Sequence, residues 1–113
     1  DRVWNIPESS HHFALIAVKE ALSSTPRPNV LLCMSDLIAL TALQEINSKG
    51  LSIPGDIRVV GFDGIDEASR SNPPLTTIHQ NSEEKGSTAA QLFIKQATHA
   101  EKIPYQIERG KSC

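Results

Sequence analysis

The residues that invite a chemical reading stand where apolar runs end. Residues 58–64, RVVGFDG, carry a buried-strand pattern into glycine, phenylalanine and the carboxylate of Asp63. The run VLLCM, residues 30–34, passes likewise into Ser35 and Asp36. An ordinary strand-to-loop junction needs no charge. A carboxylate delivered there offers two acceptor oxygens to whatever donors approach it, although aspartate followed by glycine is also a common turn signal. Catalysis finds no support: the chain has no glycine-framed nucleophile serine, no close acid pair at an evident site and no phosphate-cradling loop. Acyl or phosphoryl transfer needs a nucleophile held beside its base, and no pair of residues points to one. The chain reads as a binding module.

Metal chemistry is equally unsupported, and no cofactor is implied. His11 and His12 are adjacent, so on a helix they face different directions and make a poor metal pair. His79 and His99 have no partner in the sequence, and Cys33 and Cys113 stand far apart in no ligand spacing. Arg70, in the loop after Asp63, reads as a solvated arginine rather than an anion contact.

With 113 residues the chain suffices for one compact domain and is too short for two. Apolar residues at 39% and charged residues at 21% mark a globular rather than a disordered composition. A formal charge of −2 provides no electrostatic footprint for nucleic acid along this segment. No signal peptide is visible and the longest apolar run is far short of a membrane span. The opening DRVWNIPESS lacks an initiator methionine and reads like a strand end entering a helix, as expected of a fragment. Cys33, inside VLLCM, reads as a reduced core thiol, which favours a cytoplasmic location.

The elements that must position these residues follow from local pattern. Phe13, Ala14, Ala17, Val18, Ala21 and Leu22 recur at three- and four-residue intervals and predict a helix over 8–24, with Pro7 and Glu8 in its first turn. The cluster SSTPRPN breaks it. The continuous run at 30–34 predicts a strand covered on both faces. Ser35 can cap the next helix, Asp36 suits the positive end of its dipole, and Gly50 stops it. A second apolar strand spans 57–62, and IDEASRSN allows a short helical turn. Pro73 and Pro74 fix an extended lead into Thr76, Thr77 and Ile78, which are good strand residues. A helix opened by Ser82 runs to 97 with Ala89, Ala90, Phe93 and Ala97 inward, and YQIERG makes a last strand. This alternation predicts an α/β, doubly wound parallel sheet. Ligands bind beyond the carboxyl ends of such strands, where Ser35, Asp36 and Asp63 would share one rim.

The stretch CMSDLIALTALQEINSKGLSIPGDIRVVGFDGIDEASRSNPPLTTIHQ resembles the C-terminal half of the effector-binding domain of lactose-repressor (LacI/GalR) family transcription regulators. The resemblance rests on chained motifs in the right order: the SD helix start, IPGDIRVVGFD and PPLTTIHQ, with IERGKSC like the family's closing strand. It implies the C-terminal lobe of a type I periplasmic-binding-protein-like fold, in which an effector, commonly a sugar or nucleoside-like molecule, binds between two lobes. Residues 1–80 would form that lobe, 81–103 a crossover whose helix belongs to the other lobe, leaving Phe93 without its native partner, and 104–113 the return strand.

The resemblance also implies site residues. Asp63 matches the aspartate that accepts ligand hydroxyls, its two oxygens suiting two adjacent hydroxyls of a sugar, with the flanking glycines allowing close approach. Gln80 matches a cleft-lining glutamine. Ser35 stands where much of the family has a ligand-binding asparagine, and its shorter hydroxyl implies a ligand that is larger, differently placed or water-bridged. Trp4 resembles an aromatic that packs under the sugar ring, although its spacing to the next helix is one residue longer than usual; alone it reads as a packing residue. Asp36 is implied to cap its helix. The partners implied are a small-molecule effector, a second copy in a homodimer, and DNA through an N-terminal helix-turn-helix outside this segment. The competing expectation is a periplasmic sugar-binding protein of a transporter.

Overall fold

The computed structural model describes residues 2–8 and 10–113. Its elements run α1 (His11–Ser23), β1 (Val30–Leu32), α2 (Asp36–Ser48), β2 (Arg58–Asp63), α3 (Asp66–Arg70), β3 (Thr76–Gln80), α4 (Ser82–Ile94) and β4 (Tyr105–Glu108). The α/β class expected from the alternation is present. The sheet has the order β1-β2-β3-β4. Strands β1, β2 and β3 are parallel, but β4 runs antiparallel to β3, so the sheet is mixed rather than wholly parallel. Tyr105 pairs with Gln80: the chain re-enters the sheet at the end where β3 left it, and a strand starting there must run back.

Element ends follow capping more than composition. Helix α1 starts at His11, not at residue 8, because the Ser10 hydroxyl accepts from Phe13 N at 3.5 Å. Helix α2 stops at the expected place: Gly50 N donates to Asn47 O and Leu51 N to Ile46 O, the bond pair of a Schellman end. Helix α4 opens at Ser82, as expected, and is capped by Asn81, with Asn81 Oδ1 accepting from Glu84 N and Asn81 Nδ2 donating to Glu84 Oε2. It ends at Ile94, short of 97, because Gln96 adopts a φ of 51°. None of its residues is buried: Ala89, Ala90 and Phe93 of the expected inward face are exposed, Phe93 to 85%.

One hydrophobic cluster holds the fold together. Val18, Ala21 and Leu22 of α1 meet Ala39, Ala42, Leu43 and Ile46 of α2 over Leu31, Ile57, Val59 and Leu75 from the sheet region. Fully burying a side chain of this size is worth roughly 1.5–3 kcal/mol. The run at 30–34 does not make a strand covered on both faces: Leu31 is buried, whereas Leu32 is 77% exposed. Every residue of the run is apolar, and apolar content alone carries no information about which face a neighbour covers.

The C-terminal residues complete the sheet. Val59 N donates to Ser112 O at 2.8 Å, and the Ser112 hydroxyl donates to Val59 O at 2.6 Å while accepting from Thr76 N at 2.8 Å. Ser112 is fully buried and ties the starts of β2 and β3 together. A polar side chain survives there because its hydrogen-bonding groups are satisfied.

The two thiols differ sharply. Cys33 packs against the core, and burial, reinforced by the charge of Asp36, pushes its thiol up to about 12; Cys113 is exposed. At pH 8 a thiol of that pKa is only about 10⁻⁴ thiolate, so Cys33 is expected to alkylate on the order of 10³-fold slower than an ordinary thiol. Iodoacetamide followed by intact mass should show one rapid adduct, at Cys113, and a second only in denaturant. Equal labelling rates would refute the shielding of the half-buried Cys33 thiol.

Candidate functional site

The ends of β2 and β3 bring two of the anticipated site residues together. Asp63 is the last residue of β2, and Gln80 the last of β3. Gln80 Nε2 donates to Asp63 Oδ1 at 3.0 Å, and Lys85 Nζ donates to Gln80 Oε1, which fixes the amide's orientation. Both residues are half-buried, and Asp63 Oδ2 accepts no hydrogen bond among the described residues. The carboxylate is therefore oriented by one oxygen and open at the other. Asp63 holds a φ of 130°, which side chains rarely adopt outside glycine.

Ser35 belongs to the same rim. It is half-buried, and its hydroxyl caps α2 by accepting from Ile38 N at 3.3 Å. The next residue, Asp36, is fully buried and reaches across the fold. Its Oδ2 accepts from Gly64 N at 2.8 Å and Ile65 N at 2.9 Å, and its Oδ1 accepts from Thr77 Oγ1 at 2.6 Å. Asp36 thus does not cap its own helix, as the resemblance implied; Ser35 does that. Trp4 shares its surroundings with none of Ser35, Asp63 and Gln80. It packs on the core and, with Glu20 and Ser23 of α1 and the cap residue Ser24, lines an open cavity of about 510 Å³.

The glycines flanking Asp63 serve the protein itself. A Cβ on Gly61 would collide with Asp36 Oδ1, and one on Gly64 would collide with His79, while Gly64 also holds a φ of 77°. The expectation that these glycines admit a ligand is corrected: the space beside each is filled by a side chain. His79 Nδ1 lies 3.2 Å from Gly64 O and 3.4 Å from Glu108 Oε1, so it braces the loop after Asp63 against β4. No cluster of three metal-ligating side chains exists among the described residues.

The profile of the periplasmic binding protein-like domain matches residues 2–112. The chain belongs to that family. Among relatives of this periplasmic binding protein-like chain, the HTH-type transcriptional repressor PurR of Aliivibrio fischeri is 40% identical over 75 residues, covering 66% of this chain and 22% of the repressor. A LacI family transcriptional regulator from Bifidobacterium animalis subsp. lactis superposes with a TM-score of 0.88 at 26% identity, over 93% of this chain and 41% of that one. The transcriptional regulator CelR in its cellobiose complex superposes with a TM-score of 0.82 at 26% identity, over 94% of this chain and 34% of that one. The chain spans less than a third of the length of the curated repressors it matches. The LacI/GalR resemblance drawn from the motifs is borne out by these matches.

Within this periplasmic binding protein-like domain, the residue that sequence reasoning undervalued is Asp36. A carboxylate heading the apolar helix start DLIAL must lose its water when that helix packs, so it requires donors from elsewhere. That much was legible. Which donors answer it depends on two segments distant in sequence, the loop at 64–65 and β3. Ser112 carried no sequence signal of its role.

Proposed function

We propose that this chain is the effector-binding part of a bacterial DNA-binding transcription regulator, and that its rim takes a polyhydroxy ligand such as a sugar. The observation that carries the reading is the Asp63–Gln80 pair: a half-buried carboxylate, oriented through Oδ1 and open at Oδ2, at the ends of neighbouring parallel strands. Sugar hydroxyls donate to such an oxygen, and the lysine-held Gln80 amide prevents the carboxylate from turning away. The cellobiose complex of CelR supports the ligand class, and the HTH-type repressors among the relatives support regulation of DNA binding over the alternative of a transporter's periplasmic receptor. Ser35 lies beside this ligand, and Trp4 contributes packing. No helix among the described residues is long and apolar enough to cross a membrane. A cytoplasmic homodimer acting through N-terminal DNA-binding heads completes the reading. Ligand would favour one relative orientation of two lobes and so alter operator affinity, which requires that it bind the two orientations unequally. No catalytic role is assigned to any residue.

The test is titration calorimetry of the intact gene's product with cellobiose, glucose and a panel of pentoses. Asp63→Ala is expected to weaken the best sugar about 100-fold, since a hydrogen bond to a charged group is worth about 1.5–3 kcal/mol. Gln80→Ala should weaken it about tenfold. Unchanged affinity in Asp63→Ala would remove the carboxylate from the site.

A further inference from the structure

We infer that Asp36 is the positioning residue of this rim: one buried carboxylate sets the relative placement of the three segments that carry Ser35, Asp63 and Gln80. The inference rests on the ligand reading of that rim. Asp36 follows Ser35 directly at the start of α2 and is fully buried. Its Oδ2 holds the two consecutive amides, Gly64 N and Ile65 N, that follow Asp63 in the chain. Its Oδ1 holds the hydroxyl of Thr77, on the strand that ends at Gln80.

The arrangement answers a specific need. Asp63 sits at a φ of 130°, and Gly64 at 77°, so the peptide leaving the strand is in a conformation that local preference does not hold. Such a conformation persists only when its surroundings over-determine it. Two amides bound to one oxygen of a buried carboxylate, whose other oxygen is anchored to the next strand, provide that. Among the described residues no buried side-chain nitrogen or oxygen lacks a partner, so the carboxylate is matched rather than tolerated. A ligand hydroxyl would then meet an Asp63 already aimed, instead of having to order it on binding.

A staple that only stabilises the fold would lower stability without moving the site, and Ser112 provides that comparison. It is equally buried and joins β2 to β3 through Val59 and Thr76, each four residues before Asp63 or Gln80. The experiment compares Asp36→Asn, Ser112→Ala and Asp63→Ala in the intact gene's product, with amide hydrogen exchange and the Gln80 side-chain amide signals read by NMR, and cellobiose as the ligand probe. In Asp36→Asn the exchange of Gly64 and Ile65 should accelerate at least tenfold beyond that of Val59, the Gln80 signals should shift, and cellobiose affinity should fall about tenfold. Ser112→Ala should lower the thermal midpoint and leave all three readouts at wild-type values. Where Asp36→Asn does not fold, Thr77→Val removes the Oδ1 arm alone and should still shift the Gln80 signals. Wild-type exchange and Gln80 signals in Asp36→Asn, wild-type Gln80 signals in a folded Thr77→Val that stands in for it, or equal changes in Ser112→Ala, overturn the positioning role and leave the ligand reading intact. Unchanged cellobiose affinity in Asp63→Ala overturns the ligand reading instead, and the positioning role with it.

Discussion

Gly61→Ala is expected to cost about 3 kcal/mol of folding stability, at the upper end of what overpacking a core position costs. The new methyl group would collide with Asp36 Oδ1 and lie 2.9 Å from Leu75 Cδ2. Neither neighbour can retreat cheaply. The Asp36 carboxylate is fastened by three hydrogen bonds, and Leu75 is 2% exposed within the hydrophobic cluster. The comparison is Gly86→Ala, in the middle of α4, where an added Cβ meets nothing within 4 Å. There alanine should be neutral or stabilising by up to about 1 kcal/mol through helix propensity. Urea denaturation of both variants checks this: the midpoint should drop steeply for Gly61→Ala and hold or rise for Gly86→Ala. A Gly61→Ala midpoint equal to wild type would mean that the carboxylate does not occupy that space.

Asp36→Ala should be at least as costly, about 3–5 kcal/mol, in the range seen when one member of a buried charged hydrogen-bond set is removed. It leaves Gly64 N, Ile65 N and Thr77 Oγ1 without their acceptor. The hydroxyl can rotate toward another oxygen, but the two amides belong to a loop whose conformation they help define. The two substitutions should also be strongly coupled. Once the carboxylate is gone, the methyl group of Gly61→Ala enters the space it vacated, so the double variant should recover about 1–2 kcal/mol relative to the sum of the single losses. A double-mutant cycle by denaturation reads this directly. Simple additivity would show that Gly61 and Asp36 act on stability independently.

Much of this protein is local and was therefore readable in order along the chain. Apolar spacing, breakers and caps placed the elements of the described residues to within a few positions, because backbone hydrogen bonding and side-chain periodicity are decided by neighbours in sequence. The serine before Asp36 announces a helix start in any context, and the motif IPGDIRVVGFD marks Asp63 as a strand-end carboxylate whatever surrounds it. What the chain order does not contain is which strand end meets which. The antiparallel return of β4, the open face of β1 and the packing of Trp4 on the core all depend on where distant segments dock. The bonds that make the site depend on it most: Asp36 reaches Gly64 across 28 residues and Thr77 across 41, and Ser112 reaches Val59 across 53. Types and spacing say that a buried carboxylate must find donors, since its desolvation is otherwise too costly. Only the packed sheet decides that those donors are the two amides behind Asp63 and the hydroxyl on Gln80's strand, because only there are the three brought within hydrogen-bonding distance of one side chain.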